Sequence, residues 1–190
     1  MSPPSPLEIV GAAAALLSVW LTVRRHIWCW PIGLVSVVAY AVFFRQIKLY
    51  ADMWLQVFFF FTGIQGWYWW LRGGDTRTEL PITSLTPRQR LQIGAVTALC
   101  IATVGYLHAR FTDADLPFWD AAASGMSVTA QLLMTRKKIE CWHLWAAVNL
   151  LSVGIYLSKS LTLTTGLYAL FLVLALLGLR DWSAVRRAAT

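Results

Sequence analysis

Charge is scarce in this sequence. Of 190 residues, 13% are charged, about half the share of roughly 25% usual in soluble domains. Acidic residues are the rarer sign, 9 Asp and Glu against 16 Lys and Arg. Cysteine occurs three times, at Cys29, Cys100 and Cys141. The three are scattered, with no CxxC pair, which excludes a disulfide framework and a cysteine metal site. Inside apolar runs they read as small buried hydrophobes. Histidine is equally sparse; His26, His108 and His143 are dispersed near run ends, where solvation accounts for them. The chain has no phosphate-cradling glycine loop, no HExxH and no nucleophile beside a histidine. Chemistry is not indicated, and neither a cofactor nor a metal is expected. The N-terminal MSPPSPLEIV lacks a basic region and a cleavage site, so the first apolar run reads as a retained helix.

What the chain has is apolar surface in long runs. Hydrophobic residues make up 58% of it, and the charges cluster between runs instead of alternating with them. That pattern belongs to a polytopic membrane protein. The net charge of +7 comes from basic residues at run ends, where topology and anionic lipid explain them and nucleic acid does not. Seven helical spans are expected, at about Leu7–Val23, Ile27–Phe44, Leu49–Leu71, Leu91–Ala109, Phe118–Met134, Cys141–Ser158 and Leu161–Leu179. Backbone in lipid must satisfy its own hydrogen bonds, so each run should be an α-helix. Pro31 falls in the first turn of the second, where proline is tolerated. A polar linker, Arg72–Arg90, separates the third span from the fourth.

Basic residues set the orientation. Loops after odd-numbered spans carry twelve: Arg24, Arg25, Arg72, Arg77, Arg88, Arg90, Arg136, Lys137, Lys138, Arg180, Arg186 and Arg187. The other side carries four, Arg45, Lys48, Arg110 and Lys159. The imbalance predicts an outer N-terminus and a cytoplasmic C-terminus, with Asp113, Asp115 and Asp120 outside.

The chain also repeats itself. A shift of 112 residues lays RRHIWCW (Arg24–Trp30) on RKKIECW (Arg136–Trp142), and without a gap sets Phe44 on Tyr156, Gln56 on Tyr168, Gly66 on Gly178 and Trp70 on Trp182. Spans one to three therefore correspond to spans five to seven, with span four as connector. One intervening helix makes both halves enter the membrane in the same direction, a parallel repeat as in the SWEET transporters. The expected fold is all-α integral membrane, seven transmembrane helices in a 3+1+3 SWEET-like arrangement. Its parts are a first repeat (1–71), a cytoplasmic linker with the connecting helix (72–117), and a second repeat with a short cytoplasmic tail (118–190).

Polar and amphipathic groups at depth align by helical spacing. Trp142, Trp145, Asn149, Ser152 and Tyr156 share one face. Asp120, Ser124, Ser127 and Gln131 share another, and Asp52, Gln56 and Gly63 a third, while Trp30, Gly33 and Tyr40 line the second span. An amide facing lipid is costly, so Gln56, Gln131 and Asn149 point to a site. The serines fit either a site or interhelical hydrogen bonding. Trp69, Trp70 and Trp182 read as interface belt, and for Trp142 and Trp145 belt and site both remain open. Asp52 and Asp120, near the outer surface, either attract a cation or are solvated. Aromatic faces with amides suit a flat, polar or cationic ring held by stacking and hydrogen bonds.

At WPIG (Trp30–Gly33), KLYADMWLQVFF (Lys48–Phe59), GWYWWLRGG (Gly66–Gly74), PFWDA (Pro117–Ala121), Ser127-x-x-x-Gln131, RKKIECWHLW (Arg136–Trp145) and GLYALFLVLALLGLRDW (Gly166–Trp182), the chain resembles the PnuC family of bacterial vitamin transporters. The resemblance covers nearly the whole chain. It implies a homotrimer in the bacterial inner membrane that takes up nicotinamide riboside for NAD biosynthesis by facilitated diffusion, with intracellular phosphorylation trapping the substrate. Relatives carry thiamine or riboflavin, and thiamine is the alternative within the class; a non-transporting receptor or an intramembrane enzyme is the alternative outside it. The expected lining, between the two halves, is Trp30, Tyr40, Gln56, Gln131, Trp142, Trp145, Asn149, Tyr156 and Tyr168, with Gly33, Gly63, Gly66 and Gly154 permitting close helix approach.

Overall fold

The computed structural model describes residues 5–73, 79–112, 116–158 and 162–188. Seven helices follow one another: α1 (Pro6–Val23), α2 (Cys29–Gln46), α3 (Tyr50–Arg72), α4 (Pro87–Phe111), α5 (Pro117–Thr135), α6 (Glu140–Ser158) and α7 (Thr162–Ala188). Arg77, Asp113, Asp115 and Lys159 lie outside the described residues.

Each expected span is a helix, and local chemistry explains where the ends differ. At α1, Ser5 and Glu8 form a reciprocal capping box with Pro6 in the first turn. At α4 the same device, Thr86 with Gln89 ahead of Pro87, starts the helix a turn before the expected Leu91. Both boxes satisfy backbone N–H groups that a helix start leaves orphaned. At the other end of the chain α7 continues to Ala188. The charged run after Leu179 extends the helix instead of ending it.

Four helices, α1, α2, α4 and α7, are both long and apolar enough to cross a membrane. The others have the length, since 19 residues in α5 and α6 and 23 in α3 rise about 28 and 34 Å at 1.5 Å each. Their apolarity is diluted by Asp52, Gln56 and Gln65 in α3, Asp120 and Gln131 in α5, and Glu140 and Asn149 in α6. The protein turns apolar side chains outward, among them Leu91, Val96 and Leu99 on α4 and Trp54 and Phe61 on α3. Such exposure suits hydrocarbon and would be a liability in water.

The chain forms two compact units. The first comprises Met1–Pro81 with Thr135–Lys137, and the second Ile82–Met134 with Lys138–Thr190. In the first, hydroxyls tie α1 to α2: Ser36 Oγ donates to the Gly11 carbonyl (2.8 Å) and Ser18 Oγ to that of Cys29 (2.7 Å). In the second, the Thr97 and Thr129 hydroxyls join α4 to α5 at 2.9 Å, and Phe118 and Ile101 pack on Gly105 and Gly125. These four hydroxyls make interhelical joints.

The 112-residue repeat recurs in the turn before α2 and the turn before α6. Arg25 and Lys137 both take positive φ, 59° and 46°, a conformation that costs a non-glycine residue roughly 1 kcal/mol or more. His26 N donates to Leu21 O at 2.9 Å, and Lys138 N to Leu133 O at 3.0 Å. Cys29 N to His26 O is matched by Cys141 N to Lys138 O, and Trp30 N to Ile27 O by Trp142 N to Ile139 O. Beyond each turn an indole packs on a glycine. Trp30 lies on Gly66 and meets Trp70 edge-on (centroids 5.3 Å, planes at 89°); Trp142 lies on Gly178 and meets Trp182 likewise (5.4 Å, 88°).

Two expectations are corrected here. Trp70 and Trp182 are not belt residues: they are 1% and 0% exposed, because each is clamped edge-to-face beneath a partner indole. Cys29 and Cys141 are buried as expected, whereas Cys100 is exposed on α4.

A methyl group at Gly66 or Gly178 would fall inside van der Waals contact with the indole, while Gly94 and Gly154 face open space. Gly66→Ala and Gly178→Ala should each destabilise by about 1–3 kcal/mol, as overpacking does. Gly94→Ala and Gly154→Ala should be neutral or stabilising, as glycine removal from a helix usually is. Thermal melts of the four purified variants distinguish the two pairs.

Candidate functional site

The expected lining residues fall into three groups. Trp30 and Trp142 are buried in the indole–glycine packing just described, and each keeps a buried Nε1–H without a hydrogen-bond partner among the described residues. Their first role is to hold helices together.

The second group is the amides. Asn149 is 7% exposed in the interior of α6, and no described residue hydrogen-bonds its side chain. Gln56 on α3 and Gln131 on α5 are half-buried.

The third group is aromatic. Tyr156 on α6 stacks on Tyr168 of α7, centroids 5.1 Å apart and planes at 25°, and Tyr168 meets Phe171 edge-on at 6.2 Å. Tyr40 stacks on Phe44 (5.7 Å, 19°) with its ring against Gly11. Trp145 is half-buried. In the second unit helical spacing puts Trp145, Asn149, buried Ser152 and Tyr156 on one face of α6, ending at the tyrosine stack. Gln56 and Tyr40 belong to the first unit. Asp52 and Asp120 are exposed, as is Ser124, whereas Ser127 is buried.

The repeat separates the roles of these residues. Where helices pack, it duplicates side chains: Cys29 and Cys141, Trp30 and Trp142, Gly66 and Gly178, Trp70 and Trp182. At the other expected lining positions it differs: Asn149 stands opposite Val37, Gln131 opposite Val19, Trp145 opposite Gly33 and Tyr168 opposite Gln56.

Charged residues supply what sequence reasoning missed. Lys137, counted above only for topology, is 2% exposed; its ammonium meets Glu79 at 2.7 Å and lies 4.5 Å from the Trp70 ring centroid. Arg136 stacks over Trp69 at 3.3 Å. The Arg-Lys-Lys run gave no sign that its middle member is buried.

Seven helices, four of them long and apolar enough to cross a membrane, make this an all-helical membrane protein. The nicotinamide mononucleotide transporter model matches residues 5–184. The chain is 32% identical to the nicotinamide riboside transporter PnuC of Escherichia coli, over 93% of this chain and 84% of that one. It is 25% identical to the riboflavin/roseoflavin transporter RibM of Streptomyces davaonensis, over 92% and 83%. The crystal structure of the vitamin B3 transporter PnuC shares the fold, with a TM-score of 0.79 at 24% identity, covering 100% of this chain and 85% of that one. This chain is a member of the nicotinamide mononucleotide transporter family, to which PnuC belongs.

The Lys137–Glu79 pair is lopsided: the lysine is sealed, and the glutamate side chain is 74% exposed. Removing the glutamate leaves a buried ammonium with only an aromatic face, whereas removing the lysine leaves a solvated carboxylate. Glu79→Gln should therefore lower the melting temperature more than Lys137→Met, which keeps the packed stem. Equal shifts would mean that the charge pair contributes nothing.

Proposed function

We propose that this protein imports nicotinamide riboside across the bacterial inner membrane by facilitated diffusion, as a homotrimer with its N-terminus outside. The two three-helix repeats alternate access to the substrate, and phosphorylation by a separate intracellular kinase traps it for NAD synthesis. The observation that carries the reading is the identity to the Escherichia coli nicotinamide riboside transporter across nearly the whole of both chains. The side chains agree with it. Nicotinamide riboside has a flat cationic ring, a carboxamide and ribose hydroxyls. Tyr156, Tyr168, Tyr40 and Trp145 would stack the ring, and Asn149, Gln56 and Gln131 would bond the carboxamide or ribose. Trp30 and Trp142 then contribute mainly by fixing the helices that carry these groups. The basic-residue imbalance supports the orientation.

The relation to RibM favours riboflavin as a second reading, and thiamine, the other cationic ring weighed above, belongs in the same comparison. Titrating purified protein with nicotinamide riboside, thiamine and riboflavin should raise the melting temperature most with the first. A larger shift with either of the others would reassign the substrate.

In proteoliposomes with no imposed gradient, nicotinamide riboside should equilibrate and not accumulate. Asn149→Ala and Gln56→Ala should each cut uptake at least about tenfold, equivalent to roughly 1.4 kcal/mol, the scale of a lost hydrogen bond. Insertion and assembly should be retained. Normal uptake by both variants would remove the amides from the site.

A further inference from the structure

Six serines and threonines are buried among the described residues: Thr22, Ser36, Thr62, Ser127, Thr135 and Ser152. A hydroxyl on a helix has a ready partner in the carbonyl one turn back, or in a neighbouring helix. Most of the six take such a partner. Thr22 donates to Ser18 O (2.8 Å), Ser36 to Gly11 O (2.8 Å) and Thr62 to Phe58 O (2.9 Å), and Thr135 is engaged as well. Ser127 and Ser152 differ, for no described residue hydrogen-bonds either side chain. Their places are not arbitrary. Ser127 stands four residues before Gln131 on α5, and Ser152 three residues after Asn149 on α6. Each unbonded hydroxyl is one helical turn from an amide.

Ser152 adjoins the aromatic group too. It precedes Tyr156 by four residues on the same face of α6, and Tyr156 stacks on Tyr168 at 5.1 Å. From Asn149 to Tyr156 the helix rises about 10 Å, with Ser152 between them. The residue is 6% exposed, so bulk water does not account for its hydroxyl. Its oxygen is also not sealed in the way that the partnerless Trp142 Nε1 is. A small polar group can therefore reach it.

We propose that Ser152 is a specificity-determining residue, whose hydroxyl bonds the carboxamide on the ring that the tyrosines stack. This rests on the nicotinamide riboside reading above and adds to it the group that α6 reads. A hydroxyl can donate to the carboxamide oxygen or accept from its N–H. Lying between Asn149 and the stack, Ser152 is placed for the substituent carried by the ring itself. A ring without that substituent would leave the buried hydroxyl unmatched, which is how a polar site rejects an analogue.

The test titrates the purified full-length protein with nicotinamide riboside and with N-ribosylpyridinium, which has the same ring and ribose but no carboxamide. The wild type should bind nicotinamide riboside more tightly. Ser152→Ala should weaken that binding at least about tenfold, the scale of one hydrogen bond, and leave N-ribosylpyridinium binding unchanged. Its melting temperature without ligand should not fall, because no internal bond is lost and alanine suits a helix. Ser36→Ala, which breaks the bond to Gly11 O, should lower it. Equal weakening of both ligands, or of neither, overturns the proposal. A melting temperature lowered in Ser152→Ala as much as in Ser36→Ala makes the hydroxyl a packing group and overturns it too. A wild-type protein that binds neither ligand overturns the nicotinamide riboside reading itself, and this inference falls with it.

Discussion

An indole resting on a glycine, with a second indole closing over it, is the contact on which each half of this protein depends. Hydrocarbon gives helices no hydrophobic reason to associate, so packing must come from shape, and a missing Cβ lets a large flat ring reach the backbone of its neighbour. Trp30 on Gly66 and Trp142 on Gly178 do this in α2–α3 and α6–α7. The turns that deliver each tryptophan are equally fixed, with a left-handed residue at Arg25 or Lys137 and matching backbone hydrogen bonds on either side.

A division of labour explains the chain's uneven polarity. Helices α1, α2, α4 and α7 are apolar enough to meet lipid. The polar side chains at depth are left to α3, α5 and α6, which carry all three amides. On α6 they share a face with aromatic rings and end at the Tyr156–Tyr168 stack.

Much of the fold was legible in the sequence. Run length and the clustering of charge located all seven helices to within a few residues at most ends, and the 112-residue shift anticipated turns that match bond for bond. Capping boxes moved α4 forward and helical continuity carried α7 onward, which apolarity alone does not register. The site was less legible. Periodicity placed Asn149, Ser152 and Tyr156 on one face of α6, yet could not tell a tryptophan that packs from one that lines. Trp30 and Trp142 lie in the packing because their partners are glycines on other helices, a relation invisible along the chain until the repeat is noticed. Lys137 was hidden for the converse reason: a basic residue in a basic run reads as solvated, and its burial depends on Glu79 and Trp70, far away in sequence.

A structure determined in a bilayer mimetic with nicotinamide riboside tests the account most directly. The expected result is a pyridinium stacked against the tyrosine pair of α6 and α7, with Asn149 within hydrogen-bonding distance of carboxamide or ribose, and with both indole–glycine contacts intact. Ligand bound away from Asn149 and the tyrosines, or bound only after Trp30 or Trp142 leaves its glycine, would contradict it.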